Sequence, residues 1–137
     1  MSQEETYVDD DMEPDPELNR VTNAIIGAAI AFHRELGPGH LEAIYGRALA
    51  IEFAHRGIAF QKELPITLSY RGQVVGTGRL DFLVEQCVIV ELKSIEAIGP
   101  VQRAQMLTYL RITKHKLGII LNFNVATLVD GIRRIAN

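Results

Sequence analysis

One stretch constrains the fold more than any other: Gly78-Arg-Leu-Asp-Phe-Leu-Val-Glu-Gln-Cys-Val-Ile-Val-Glu-Leu-Lys93. Residues 79–84 and 88–93 are dense in Val, Ile, Leu and Phe, as short buried strands are. Three charges interrupt this apolar run: Asp81, Glu91 and Lys93. Glu91 and Lys93 are two apart, so on a strand they share a face. Asp81 joins them only if it lies opposite Glu91, because directly opposed residues of an antiparallel pair share a face. That pairing leaves Glu85, Gln86 and Cys87 as the loop. A loop one residue shorter would set Asp81 against Val90 and turn it to the other side. A site built from these charges therefore demands a loop of odd length or a bulge.

Two carboxylates and a lysine converging at the end of a buried strand suit a divalent metal. Carboxylates about 5 Å apart repel by roughly 3 kcal/mol at an effective dielectric of about 20. A bound cation removes that penalty, and Lys93 would partly neutralise the cluster or hold an attacking water. The competing reading carries equal weight on spacing alone: a structural salt bridge from Lys93 to Glu91 or Asp81 at a sheet rim.

The chain has 137 residues, which suggests one domain able to bury a sizeable core. No apolar run is long enough for a membrane span, and the acidic start is unlike a signal or transit peptide. Cys87 is the single cysteine, which excludes a disulfide framework, a Cys-based zinc site and an iron–sulfur cluster. A cytoplasmic setting is expected. The charge is unevenly spread. The chain has 14 basic and 17 acidic residues, and eight of the acids precede Leu18. The remaining 9 acids face all 14 bases, so residues 18–137 carry a net charge of +5. Residues 1–16 read as a disordered acidic tail and 17–137 as one domain. A mildly basic domain permits a polyanionic partner. The tail is a solubilising extension, or else it mimics nucleic acid or recruits a protein partner.

Asp15-Pro16 signals a helix start, and Leu18, Val21, Ile25, Ala28, Ala29 and Phe32 follow at helical spacing. Gly37-Pro38-Gly39 ends that helix near Leu36. A second helix is predicted over 41–55, with Glu42 in its first turn and Tyr45 on the same side. Extended segments follow at 58–63 and 65–70, then a turn at Arg71-Gly72 and a strand leading into the hairpin. Pro65 suits an edge or a strand start. Pro100 opens a third helix over 101–113, on which Gln105 and Tyr109 share a face. Residues 117–123 read as a buried strand; Leu128, Val129, Ile132 and Ile135 fit a short helix, but a turn at Asp130-Gly131 makes 126–135 read as an extended segment. This order gives a mixed sheet flanked by helices, an α/β or α+β domain.

Asp81…Glu91-Leu-Lys93 on a central hairpin, followed by a helix with Gln105-Met-Leu-Thr-Tyr109, resembles the PD-(D/E)XK nuclease superfamily. The Gln-x-x-x-Tyr helix is similar to that of its RecB-like branch. More narrowly, Gly39-His-Leu-Glu42-Ala-Ile-Tyr45 resembles the GxxExxY motif of a family of small bacterial proteins, as do Gly37-Pro38-Gly39 and Gly118-Ile-Ile-Leu-Asn-Phe123. The resemblance covers residues 17–137. Leu80 stands where the superfamily's name has proline, and the cysteines of the iron–sulfur branch are absent.

The resemblance implies a restriction-endonuclease-like fold and a Mg²⁺- or Mn²⁺-dependent nuclease, with DNA the favoured substrate. Asp81, Glu91 and the backbone carbonyl of Leu92 would ligate the metal. Glu42 would reach it directly or through water, and Lys93 would orient and activate the attacking water. Gln105, Tyr109 and Tyr45 would contact the nucleic acid. Homodimers are common in the superfamily. The alternatives are a non-cleaving nucleic-acid-binding module and a protein-interaction domain on the same fold.

Overall fold

The apolar hairpin forms the middle of a mixed sheet. The computed structural model describes the backbone of Val8–Asp9 and residues 15–137. The strands are β1 (Val8–Asp9), β2 (Phe60–Tyr70), β3 (Gln73–Val84), β4 (Val88–Lys93), β5 (Leu117–Asn122) and β6 (Ile132–Ala136). Their spatial order is β1-β6-β5-β4-β3-β2. The pairs β4–β5 and β1–β6 are parallel and the others antiparallel. Apart from β1, the acidic segment and its expected disorder lie outside the described residues. No helix among the described residues is long and apolar enough to cross a membrane.

Helix α1 (Pro16–Leu36) starts as expected. The Asp15 carboxylate accepts from the Glu17 and Leu18 N–H groups at 3.0 and 3.1 Å, and Pro16 occupies the first turn. Helix α2 (Glu42–Arg56) ends at Gly57, whose φ of 71° makes the left-handed cap. Both helices cover one face of the sheet. There Val21, Ile25, Phe32, Leu49 and Phe53 pack on Phe82, Val90, Leu92, Ile119 and Leu121. Helix α3 (Pro100–Thr113) covers the other face, with Met106 and Leu110 against Leu83, Ile89, Ile120 and Ile135. Gly118 permits this approach, because a Cβ there would overlap the sulfur of Met106. The result is a helix–sheet–helix sandwich whose central strand β4 is buried on both sides, which accounts for the apolar run Val88-Ile89-Val90 that precedes Glu91.

Two segments differ from the sequence expectation. The extended stretches at 58–63 and 65–70 are one strand, β2, which runs through Pro65; β2 is the sheet edge, where a missing N–H costs no ladder bond. The C-terminal segment is a 3-10 helix, Leu128–Gly131, followed by β6. Its helical and strand patterns are both real and lie in succession.

The β2–β3 ribbon turns over at one place. Lys62 pairs with Phe82 and Leu64 with Leu80, while Glu63 and Asp81, between them, are not paired. Glu63 has φ 58°, a left-handed conformation uncommon for a side chain of this kind. On one side of this point Phe82 and Val84 face α1 and α2. On the other, Leu64, Ile66, Leu68 and Leu80 face α3. Strict alternation would put all these even-numbered residues on one face. Asp81 sits at the inversion.

Candidate active site

The hairpin register is the one that the charge spacing required. Val84 pairs with Val88, Leu83 with Ile89 and Phe82 with Val90, so Glu85–Cys87 form the loop and Asp81 lies opposite Glu91. Glu85 and Gln86 both adopt left-handed φ angles, 51° and 62°, which closes the turn. Regular pairing stops at Asp81, and side chains take over from the backbone. The Asp81 N–H donates to Glu91 Oε1 at 3.2 Å, and the Leu92 N–H donates to Asp81 Oδ2 at 2.8 Å. Each carboxylate thus accepts from the opposite strand, and the exchange brings the two acids together where the β3–β4 pairing ends.

Glu91 is 6% exposed. Burial, and then the negative charge of Asp81, push its pKa from 4.5 up to about 8. The Asp81 N–H and the charge of Lys93 oppose the shift without cancelling it. Burial, and then the charges of Glu91 and Asp81, raise the Tyr109 phenol above its usual range. Lys93 follows Glu91 on the same face of β4. Among the described residues it makes no ion pair within 4.0 Å, so the expected alternative of a structural Lys93 salt bridge is not what the structure contains.

A buried Glu91 carboxyl held against the half-buried Asp81 carboxylate is a site that a cation would relieve. The available donors are hard oxygens, namely the two carboxylates and the Leu92 carbonyl, which suit Mg²⁺ or Mn²⁺. Among the described residues no three His, Cys, Asp or Glu side chains converge as a full metal cage. Mg²⁺ does not need one, because it keeps several waters and is held by one or two carboxylates.

Glu42 stands at the rim rather than beside the pair. It opens α2 and is exposed, and its Oε1 accepts from the Ser94 N–H just beyond β4 at 3.3 Å. The Ser94 hydroxyl donates to the His40 carbonyl at 2.8 Å, which ties the exit of β4 to the start of α2. Asn122 completes this support. It is buried, its Oδ1 accepts from the Ile95 and Asn124 N–H groups, and its Nδ2 donates to the Ile95 carbonyl at 3.0 Å. The sequence reading placed Asn122 in a strand and gave it no role. Its signals are a polar residue in an apolar strand and its place in the Gly118–Phe123 stretch.

On α3, Tyr109 is half-buried toward the acids and Gln105 is exposed one turn away. Tyr45 requires a correction. Expected to contact substrate, it is fully buried, with its ring stacked on Phe123 at 4.5 Å between centroids. Its hydroxyl donates to the Gly37 carbonyl at 2.6 Å and accepts from the His40 N–H at 3.2 Å. Tyr45 therefore anchors the Gly37-Pro38-Gly39 turn in front of α2. Tyr45→Phe is expected to cost about 1–2 kcal/mol in urea unfolding, with no change in oligonucleotide affinity. A loss of affinity at unchanged stability would restore the contact role.

Beside the pair lies a pocket of about 320 Å³ lined by Glu42, Arg47, Lys62, Glu63, Arg79, Asp81 and Leu92, among others. Comparison with known proteins covers the same part of the chain. A family model described as the PD-(D/E)XK nuclease superfamily matches residues 19–135, which include every side chain named above as part of the site. Neither the curated proteins nor the solved structures return a match. With its mixed sheet, its flanking helices and this match over most of its length, the chain belongs to the PD-(D/E)XK nuclease superfamily.

Proposed function

We propose that the protein is a metal-dependent nuclease that hydrolyses phosphodiester bonds, with DNA the favoured substrate. The reading rests chiefly on one observation, the reciprocal exchange of N–H groups and carboxylates between Asp81 and Glu91–Leu92. This exchange holds a buried acid, Glu91, against a half-buried one, Asp81, at a cost in stability, as a metal site does. The motif Glu42-x-x-Tyr45 further suggests the GxxExxY family, and Gln105-x-x-x-Tyr109 the RecB-like branch.

Asp81, Glu91 and the Leu92 carbonyl would hold Mg²⁺ or Mn²⁺, and Glu42 would reach it through water. When bound, the ion would lower the pKa of a water and stabilise charge building on the phosphate. Lys93 orients the attacking water with its ammonium hydrogens. Its freedom from ion pairing leaves those donors available. Gln105 and Tyr109 present an amide and a phenol to the sugar–phosphate backbone on the α3 side. The buried walls formed by Leu92 and Phe82 limit solvent around the acids.

Metal binding can be tested apart from cutting. Mg²⁺ or Mn²⁺ is expected to raise the thermal midpoint of the wild-type chain, by the equivalent of about 3 kcal/mol at a hundredfold excess over Kd. Asp81→Asn is expected to remove the shift. An equal shift in both proteins would place the metal elsewhere and defeat this reading.

A further inference from the structure

The pocket beside the acids holds three cations for which the proposed chemistry has no use. Arg47 comes from α2, Lys62 from β2 and Arg79 from β3, and all three are exposed. They share the pocket with three acids, Glu42, Glu63 and Asp81. Yet among the described residues no cation of the pocket forms an ion pair; the pairs found there are Arg20–Glu17 and Arg56–Glu52. Packing positions at least one of them. The Lys62 ammonium lies 5.9 Å from the centre of the Phe82 ring. Its stem runs along α2 at Gly46, where an added Cβ would stand 3.8 Å from Lys62 Cε.

The inversion of the β2–β3 ribbon explains why these residues meet. Lys62 immediately precedes Glu63, and Arg79 lies two residues before Asp81, so the turnover brings both to the α2 side of the acid pair. Three positive side chains balance three negative ones, and any divalent cation on the acids makes the pocket net positive. A pocket of this size and sign, opening beside a hydrolytic centre, fits a phosphodiester group.

We propose that Arg47, Lys62 and Arg79 form a phosphate subsite that grips the nucleic-acid strand at the phosphodiester adjoining the one cut, on the α2 side of Asp81 and Glu91. The proposal rests on the nuclease reading for the identity of the strand. It adds the direction in which the strand leaves the centre, away from Gln105 and Tyr109.

The test uses the full chain carrying Lys93→Ala, to suppress cutting, and a fluorescent oligonucleotide titrated in Mg²⁺ at several salt concentrations. Adding Lys62→Ala or Arg79→Ala is expected to weaken binding about fivefold or more and to lower the salt slope by about one. Lys62→Arg and Arg79→Lys should restore most of the affinity, and thermal unfolding confirms that each variant is folded. A scan with single neutral methylphosphonates should find a position where the loss from the probe and the loss from Arg79→Ala do not add. With Lys93 intact, Arg79→Ala should raise KM more than it lowers kcat. Folded variants with unchanged affinity and salt slope would overturn the subsite, as would a chain that binds no oligonucleotide. Wild-type cutting with unchanged variant affinity refutes the subsite alone. Lost variant affinity in a chain that never cuts refutes the nuclease reading and keeps the subsite.

Discussion

Lys93→Ala is expected to lower metal-dependent cleavage by about 10²–10⁴-fold and to leave the fold intact. The physical case is that Lys93 has no ion-pair partner within reach among the described residues. Its removal therefore strands no buried acid that depended on it. Its charge is the weakest of the influences on Glu91, so the change in that carboxyl's environment is small. A lysine with a structural role behaves in the opposite way, because losing the partner of a buried carboxylate destabilises the fold by roughly 3–5 kcal/mol. Rate and stability together decide the matter. A large loss of rate with an unchanged melting midpoint supports the catalytic role. A stability loss that accounts for the lost activity refutes it.

Glu91→Gln is expected to stabilise the metal-free protein at neutral pH and to flatten its dependence on pH. Glu91 in the folded chain holds its proton up to about pH 8, whereas the carboxyl's ordinary value is 4.5. Between those values the folded state binds more protons than the unfolded state. The contribution of Glu91 is therefore most favourable below about pH 4.5 and is lost as pH rises through about 8. A displacement of this size corresponds to something on the order of 3–5 kcal/mol. Denaturant titrations of both proteins at pH 5 and pH 8, in EDTA, read the effect directly. The wild type should lose more stability than Glu91→Gln across that interval. Added Mg²⁺ should narrow the gap by favouring the ionised carboxylate. Equal pH dependence in the two proteins would mean that Glu91 is not held in a strained pair.

The hairpin was legible in the sequence because a strand's side-chain period is two and the two acids had to meet. Those conditions left Glu85–Cys87 as the loop, and the register agrees. Helix α1 was legible because Asp15 and Pro16 give a local chemical signal, confirmed by the cap bonds. The inversion at Glu63 was not legible. Nothing in a glutamate between Lys62 and Leu64 announces a left-handed backbone, and the turnover depends on packing against both faces of the sheet. Its consequence, Lys62 and Arg79 meeting Arg47, involves three elements far apart in the chain. The inward orientation of Tyr45 is hidden from the sequence for a related reason. A tyrosine one turn after a rim glutamate can face outward or inward, and only the stacking on Phe123 decides. The bracing role of Asn122 is not legible because its partners, Ile95 and Asn124, lie in loops whose path the sequence does not show.

We propose that the Asp81–Glu91 pair is a hydrolytic metal centre. Its most direct test is cleavage of labelled single- and double-stranded DNA and RNA by the purified chain in Mg²⁺, Mn²⁺ or EDTA, beside a Glu91→Ala control. Cutting is expected to require the metal, to disappear in EDTA and to be lost with Glu91→Ala. Cutting that persists in the Glu91→Ala protein, or tight metal-independent binding with no cutting of any substrate, would contradict it.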